Sequence, residues 1–282
     1  MSARPDVSLP TIAFLGAGSM ARAVLTGLLR PGVSVAGIRA TNRSAANAAT
    51  LAELPGVQSY ATESDASANR RAVAGAKLVV VAVKPAMVPD LLREIADSLE
   101  PGTVVVSVAA GVTIATFESL LPAHVSVVRT MPNTPAVVGR AVTGVAAGSA
   151  VSAADLALVV QLFETVGEVL VVDESQIDAL STISGSGPAY VFFLIEQLTA
   201  TAIAKGFTPE QARVMVQGTF HGASELLASS GEEPAELRRR VTSPKGTTER
   251  AIAVLEAANV QGVFDRATDA ALARAKELAA GA

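Results

Sequence analysis

The segment Gly16–Ala21, which reads GAGSMA, is the first part of the chain whose residue types and spacing could do chemistry. In a G-x-G-x-x-A pattern the first glycine allows a tight turn, the second lets the backbone approach a pyrophosphate, and the alanine lets a helix pack closely. Free N–H groups at the start of the following helix attract phosphates. The segment therefore predicts that Gly16, Ala17, Gly18, Ser19 and Met20 bind a dinucleotide.

The residues after the second predicted strand indicate which dinucleotide binds. An NAD site usually carries an Asp or Glu about 20 residues after the first glycine, where the acid binds the ribose 2′-OH. No acidic residue lies between Asp6 and Glu53, and the strand ends in Asn42, Arg43 and Ser44. Arg43 can pair with a 2′-phosphate that an acid would repel, so we expect NADP(H), with NAD(H) binding less well. The alternative is that Arg43 is a solvated loop charge.

Four further segments have little reason to occur together in a generic dinucleotide-binding protein. They are Ala82–Pro85 (AVKP), Met131–Pro135 (MPNTP), Ser184–Tyr190 (SGSGPAY) and Val241–Thr248 (VTSPKGTT). With the glycine segment, their order and spacing resemble the pyrroline-5-carboxylate reductase family over nearly the whole chain. The last two segments are the most diagnostic, since the first two occur loosely in related reductases.

The resemblance implies an activity and an assembly. In the family, NADPH delivers hydride to C5 of 1-pyrroline-5-carboxylate, a cyclic imine, and L-proline is formed in the last step of proline biosynthesis. A helical C-terminal domain interlocks with that of a second subunit, which gives a homodimer, and dimers assemble further, up to a decamer. The substrate site then lies between the Rossmann domain of one subunit and the helices of the dimer.

The resemblance also assigns substrate contacts to the turn Ser243–Thr248. The threonine at the position of Thr248 hydrogen-bonds the ring nitrogen in the family, which makes Thr248 the expected catalytic residue. Ser243, Gly246 and Thr247 are the other expected substrate contacts, because N–H groups of a turn that enters a helix suit a carboxylate. The alternative is that the segment is only a helix-capping turn.

Glu174 stands where the family has an acid that contacts the substrate. A carboxylate near the imine nitrogen would favour the protonated imine. The alternative is an exposed loop glutamate at a domain junction.

Further cofactor contacts follow from the resemblance. Ala82, Val83 and Lys84 are expected at the nicotinamide end, Ala110 along the cofactor, and Asn69 at the adenosine ribose. Asn133 is either a cofactor contact or a support for the proline-flanked turn around it.

Lys245 departs from the family pattern, in which a second glycine is common at this position. If the backbone there needs a positive φ, a lysine costs about 1 kcal/mol. The alternative is that its charge attracts the substrate carboxylate.

The elements that position these residues change in kind near residue 174. Before it, short apolar strands alternate with helices, as in a doubly wound sheet, and after it only helical patterns follow. We predict an α/β protein with an N-terminal Rossmann-like doubly wound parallel sheet that binds NADP (1–173) and an all-α C-terminal substrate and dimerisation domain (174–282). Residues 1–9 are expected to form a loose leader. The predicted strands are Thr11–Gly16, Ser34–Thr41, Leu78–Val83, Thr103–Val108, Val125–Arg129 and Val169–Val172.

Composition excludes several classes of protein. The 282 residues are 50% hydrophobic and 17% charged with a net charge of −4, which does not fit a disordered chain or one that binds nucleic acid. The chain has no cysteine, and His124 and His221 do not cluster with acids in a metal-binding pattern, so we expect no metal site. Its longest apolar runs are far short of the ~18 residues of a membrane span. We therefore expect a cytoplasmic protein without a membrane or nucleic-acid partner.

Two other functions stay open on the sequence alone. One is a related NADP-dependent imine or 3-hydroxyacid oxidoreductase. A 3-hydroxyacid dehydrogenase typically has a catalytic lysine on the first long helix after the domain boundary, but here that helix has only the terminal Lys205. The other is a non-catalytic NADP sensor, against which the intact threonine turn argues.

Overall fold

The computed structural model describes residues 7–279, and these form two compact units. The first unit comprises residues 7–186 and 271–279, and the second is Gly187–Ala270. The outer ends of the two predicted domains, residues 1–6 and 280–282, lie outside the described residues. The division between residues 173 and 174 stays a prediction.

Ten strands lie in the first unit, and eight of them form one sheet. The sheet order is β10-β9-β8-β7-β6-β2-β4-β5, and all neighbours are parallel except β8 and β9. The separate pair β1 and β3 is also parallel. The strands are β1 Val7–Leu9, β2 Ile12–Leu15, β3 Val33–Val35, β4 Ile38–Asn42, β5 Val57–Ala61, β6 Leu78–Val81, β7 Val104–Ser107, β8 Ser126–Met131, β9 Ala141–Ala147 and β10 Gly167–Val171.

The doubly wound parallel sheet is thereby confirmed, with two corrections. The chain returns from β8 to β9 through the short 3-10 helix Thr134–Val138, and a short connection joins antiparallel rather than parallel strands. Residues Val7–Leu9 pair with β3, so the expectation of a loose leader is wrong for them.

Helices cover both faces of this sheet, which explains the continuous apolar strands. Phe14 and Val80 face one buried cluster, to which α1, α2 and α6 contribute, whereas Leu15 and Val79 face a second cluster with α3, α4, α5 and α7. The helices are α1 Ser19–Leu28, α2 Ala45–Ala52, α3 Ala68–Val73, α4 Val88–Ile95, α5 Ile114–Glu118, α6 Ala153–Glu164 and α7 Glu174–Leu180.

The later helices leave large apolar faces uncovered. The buried core of the second unit consists of Ala202, Ala212 and Val216, whereas Phe193 is 58% exposed and Val254 is 70% exposed. Contiguous exposed apolar surface of this kind marks an interaction surface. The helices are α8 Gly187–Ala204, α9 Pro209–Ser230, α10 Pro234–Arg240, α11 Thr247–Ala257 and α12 Val260–Ala279.

One described stretch, Glu174–Ala204, is apolar enough and long enough to cross a membrane, judged by length and composition alone. From the sequence alone we expected no apolar run close to the ~18 residues of a membrane span. The π-helical turn Ser181–Gly185 follows α7 directly and leads into α8. The apolar residues of α7 and α8 therefore lie on one continuous helical stretch. Only 6% of the apolar window is buried within the single chain.

Candidate functional site

The glycine turn lies where the strand order of the sheet reverses. The chain continues from β2 to β4 and β5 on one side and then returns to β6 on the other side of β2. Ligands of open α/β sheets bind above the carboxyl ends of the strands at such a switch point. Ala82 N donates to Leu15 O at 2.8 Å, which brings the predicted residues Ala82 and Val83 beside the glycine turn.

Gly16 is required by its own backbone and by its neighbour Val83. Its φ is +80°, and a Cβ would lie 2.5 Å from Val83 Cγ1. The turn is fixed by hydrogen bonds from Gly16 N and Ala17 N to Thr41 O, at 3.2 and 2.9 Å. A side chain at this position would therefore both strain the backbone and clash.

Gly18 has a different role, because the space above it is open. A Cβ at Gly18 would meet, among the described residues, only Gly16 O at 3.9 Å. Gly18 is the N-cap of α1, and no described side chain caps the helix, whose first turn contains Ser19 and Met20. Uncapped N–H groups at a helix start and an open glycine fit a diphosphate. This arrangement is what a dinucleotide cofactor requires.

Two of the three residues predicted near the 2′-phosphate also support the fold. Asn42 Nδ2 donates to Ala17 O at 3.0 Å, and Asn42 Oδ1 accepts from Arg43 N at 2.9 Å. Ser44 caps α2 by accepting from Asn47 N at 3.3 Å. Arg43 is exposed beside them. The structure thus places all three together at the end of β4, with Asn42 bracing the glycine turn.

The other predicted cofactor residues lie near the carboxyl ends of the sheet strands or on a helix that packs beside the sheet. Lys84 and Ala110 are exposed and follow β6 and β7. Asn69 is half-buried on α3, where its amide donates to Glu94 Oε2 at 3.0 Å. Their contacts with a cofactor stay predictions.

Asn133 supports the turn in which it lies. Its Nδ2 donates to Ser184 O, and its Oδ1 accepts from Val142 N, both at 2.9 Å. The side chain is buried. These bonds favour the structural of the two interpretations that the sequence left open.

Glu174 belongs to an ion-pair network that the sequence did not indicate. Its Oε1 accepts from Ile114 N at 2.7 Å and from Arg129 Nη1 at 3.3 Å. Arg129 is 3% exposed and also pairs through Nη2 with Asp178. The spacing of Glu174 and Asp178, four residues apart on α7, could have indicated that both carboxylates share one helix face. The predicted substrate contact of Glu174 stays a prediction, but its carboxylate already holds α7 to β8 and α5.

We expect Arg129→Met to lower the free energy of unfolding by about 3 kcal/mol, because removing one partner of a buried ion pair leaves charges uncompensated. This is the lower end of the usual range, since Glu174 and Asp178 are 32% and 26% exposed. Urea unfolding at neutral pH measures the loss. The matched control is Arg93→Met, whose partner Asp90 is 90% exposed and whose loss we expect to be under about 0.5 kcal/mol. Equal losses in both variants would refute a stabilising network.

The threonine turn Ser243–Thr248 connects α10 to α11 in the second unit. Gly246 N donates to Ser243 O at 3.0 Å, and a Cβ on Gly246 would lie 2.6 Å from Ser243 Oγ. The same Cβ would lie 2.9 Å from the backbone O of Ser243, so any other residue here would force the turn to shift. Thr247 and Thr248 form the first turn of α11 with exposed side chains.

Lys245 has a φ of +62°, the positive value for which the glycine common in the family is suited. Its backbone N–H donates to Glu249 Oε2 at 2.9 Å, so a carboxylate from the next helical turn holds the strained residue in place. Glu249 is a residue of this turn that the sequence did not single out. A glutamate three residues after a helix N-cap is the signal that could have found it.

We expect Lys245→Gly to raise the free energy of unfolding by about 0.5–1 kcal/mol, because glycine removes left-handed strain but adds freedom to the unfolded chain. The control Lys245→Met keeps the β-carbon and removes the charge, and we expect it to unfold like the parent protein. Chemical denaturation of both variants measures the difference. The absence of a gain with glycine would contradict strain at this residue.

A shallow cavity of about 300 Å³ lies beside the threonine turn, between α10 and α11. Thr242 and Glu249, which flank the turn, line it together with Arg238 and Arg239. Hydrogen bonds from Arg239 lower the pKa of Glu236 to about 2, against the opposing effect of burial. The positive charges of Arg238 and Arg239 beside the cavity are thus paired with glutamates. Among residues 7–279, no group of three or more acidic or histidine side chains is arranged to hold a metal ion.

An open, mostly parallel sheet with a glycine turn at its switch point, in a chain that continues into helices, defines a dinucleotide-binding protein of the Rossmann type. Residues 11–111 match a family model described as NADP oxidoreductase, coenzyme F420-dependent, and residues 174–278 match one described as pyrroline-5-carboxylate reductase dimerisation. The pyrroline-5-carboxylate reductase of Pseudomonas aeruginosa is 42% identical over 274 residues, which are 97% of this chain and 98% of that protein. The chain belongs to the pyrroline-5-carboxylate reductase family.

Solved structures agree with this assignment. A pyrroline-5-carboxylate reductase from Coxiella burnetii has a TM-score of 0.88 at 38% identity and covers 95% of this chain and 97% of its own. Pyrroline carboxylate reductase from Plasmodium falciparum, solved with NADP bound, has a TM-score of 0.79 at 23% identity, with coverages of 95% and 98%. The latter supports the fold. The match to a dimerisation domain supports homo-oligomerisation of this chain.

Proposed function

We propose that the protein reduces the cyclic imine 1-pyrroline-5-carboxylate to L-proline with NADPH, the last step of proline biosynthesis. The observation that carries the proposal is the similarity to curated pyrroline-5-carboxylate reductases over 97% of the chain. The open glycine turn and the tight threonine turn, which this reaction needs, are both present in the fold. NADP(H) is the cofactor, and NAD(H) binds less well.

The chain's own residues bind and orient the reactants. N–H groups at Ser19 and Met20 bind the diphosphate above the open Gly18, and Arg43 pairs with the 2′-phosphate. When bound, the reduced cofactor supplies the hydride that C5 of the substrate accepts. N–H groups of the threonine turn bind the substrate carboxylate, and the Thr248 hydroxyl hydrogen-bonds the ring nitrogen. Orientation and fixed dipoles account for the protein's contribution to the rate.

The direct test is consumption of NADPH with 1-pyrroline-5-carboxylate, measured beside simple 3-hydroxyacids with NADP⁺. We expect turnover with the imine and stoichiometric formation of L-proline. Turnover of a hydroxyacid alone would favour the related oxidoreductase, and binding of NADPH without turnover of any substrate would favour a sensor.

The apolar faces of the helical unit are proposed as the dimer interface, and dimers are proposed to assemble further into a decamer. Phe192, Phe193 and Leu255 are each more than half exposed in the single chain, and a second copy would cover them without a membrane. We also propose that the enzyme is soluble and cytoplasmic. Light scattering should give an even multiple of the 28.6 kDa subunit mass, and a monomeric mass would contradict it.

A further inference from the structure

An acidic side chain lies at the start of α2, close to the residues predicted to bind the 2′-phosphate. The chain after β5 runs alongside the end of β4, where Thr62 N donates to Asn42 O at 2.9 Å and Glu63 N donates to Arg43 O at 3.1 Å. The Glu63 carboxylate then turns toward α2, and its Oε1 accepts from Ala45 N at 2.6 Å. The side chain is exposed on its outer face.

The position of this carboxylate is one that an anion favours. The start of a helix carries free N–H groups and a partial positive charge, and the first turn of α2 contains no acid of its own. Ser44 already caps α2 through Asn47 N, so the helix does not depend on Glu63 for its cap. The exposed Arg43 forms no ion pair among the described residues.

The neighbouring acid cannot take this role. Asp65 Oδ2 pairs with Arg71 at 2.7 Å, and Asp65 Oδ1 accepts from Ser67 N at 2.8 Å. These bonds tie Asp65 to its own loop and to α3. Glu63 is thus the acid that hydrogen-bonds at the start of α2.

We infer that Glu63 determines how strongly the protein discriminates between NADPH and NADH. The inference rests on the proposed function, which places the 2′-phosphate of the cofactor at Arg43. The acid that an NAD site has at the end of its second strand is supplied here from the loop after the neighbouring strand. The Glu63 carboxylate competes with a 2′-phosphate for Ala45 N and repels it, whereas it accepts a hydrogen bond from a ribose 2′-OH. Glu63 therefore weakens NADPH binding and keeps NADH usable.

The position of Glu63 beside Arg43 is not apparent from its distance along the chain. No acid occurs between Asp6 and Glu53. Taken alone, this absence predicts a strong preference for NADPH over NADH. Strand pairing between β4 and β5 nevertheless brings Glu63 to the carboxyl end of β4, beside Arg43. Arg43 and Glu63 then act in opposite directions on the same phosphate.

The test is binding of adenosine 2′,5′-bisphosphate and of adenosine 5′-monophosphate to the full-length protein, measured by calorimetry. We expect Glu63→Gln to tighten bisphosphate binding about 3- to 10-fold, the size expected for removing one like charge near the protein surface, and to leave monophosphate binding within about twofold. The ratio of the dissociation constants of NAD⁺ and NADP⁺ should rise by a similar factor. Arg43→Ala should shift both quantities in the opposite direction.

The matched control is Glu53→Gln, which removes an exposed acid at the other end of α2, about 12 Å along the helix. We expect it to leave unchanged both the ratio of the dissociation constants of NAD⁺ and NADP⁺ and the corresponding ratio for the monophosphate and the bisphosphate. The role of Glu63 is contradicted if Glu63→Gln leaves the ratios unchanged, or if Glu53→Gln shifts them equally. If the parent protein binds neither the bisphosphate nor NADP⁺, the cofactor assignment itself fails, so the two failures are distinguishable.

Discussion

Replacing Thr248 by alanine is expected to lower kcat/KM for 1-pyrroline-5-carboxylate about 10- to 150-fold. The variant loses one hydrogen bond to a charged group, which contributes about 1.5–3 kcal/mol. The Thr248 side chain is exposed in the first turn of α11, so its removal should leave the fold intact. Steady-state kinetics at saturating NADPH measure the effect.

Thr248→Ser is the matched variant, because it keeps the hydroxyl and removes only a methyl group. We expect it to recover most of the activity that alanine loses. A value of kcat/KM within a factor of two of the parent in the alanine variant would show that the hydroxyl does not act on the substrate. The turn would then serve only as a helix cap.

The second large effect is expected at the glycine turn, where alanine substitutions at Gly16 and Gly18 should have different consequences. Gly18→Ala should raise the dissociation constant of NADP⁺ at least about 10-fold, because its methyl group enters the open space assigned to the diphosphate. Its φ of −76° suits alanine, and the nearest described atom is 3.9 Å away. We therefore expect the melting temperature to change by only a few degrees. Calorimetry and thermal unfolding measure the two quantities.

Gly16→Ala should instead lower the free energy of unfolding by about 2–5 kcal/mol, the sum of left-handed strain and overpacking. The cause is the φ of +80° and the 2.5 Å approach to Val83 Cγ1. If Gly18→Ala bound NADP⁺ as tightly as the parent, the cofactor would not lie above this residue. If Gly16→Ala were as stable as the parent, the turn would not be as tight as described.

The parts of the fold that the sequence predicts are those with a strong local pattern. The central strands β2, β6 and β7 are short β-branched or apolar runs buried on both faces, and the glycine pattern between β2 and α1 defines the turn on its own. The strands β5 and β9 were missed. β5 contains polar, half-exposed residues, and β9 is rich in alanine and glycine, which are poor strand formers; both form because neighbouring strands pair with them.

Contacts between segments that are far apart along the chain could not be predicted from the sequence for a related reason. Arg129 reaches Glu174 and Asp178 only because β8 and α7 pack together, and Glu63 reaches the start of α2 only because β5 pairs with β4. The distance along the chain carries no information on either contact. The positive φ of Lys245, by contrast, was foreseeable from the family's preference for glycine at that position.

The most direct test of the account is a crystal structure of the protein with NADP⁺ and L-proline bound. We expect the proline carboxylate on the free backbone N–H groups at the start of α11, Thr247 and Thr248, and the proline nitrogen within hydrogen-bond distance of the Thr248 hydroxyl. The diphosphate should lie on Gly18 at the start of α1. Proline bound elsewhere in the protein, with Ser243–Thr248 empty, would contradict the account.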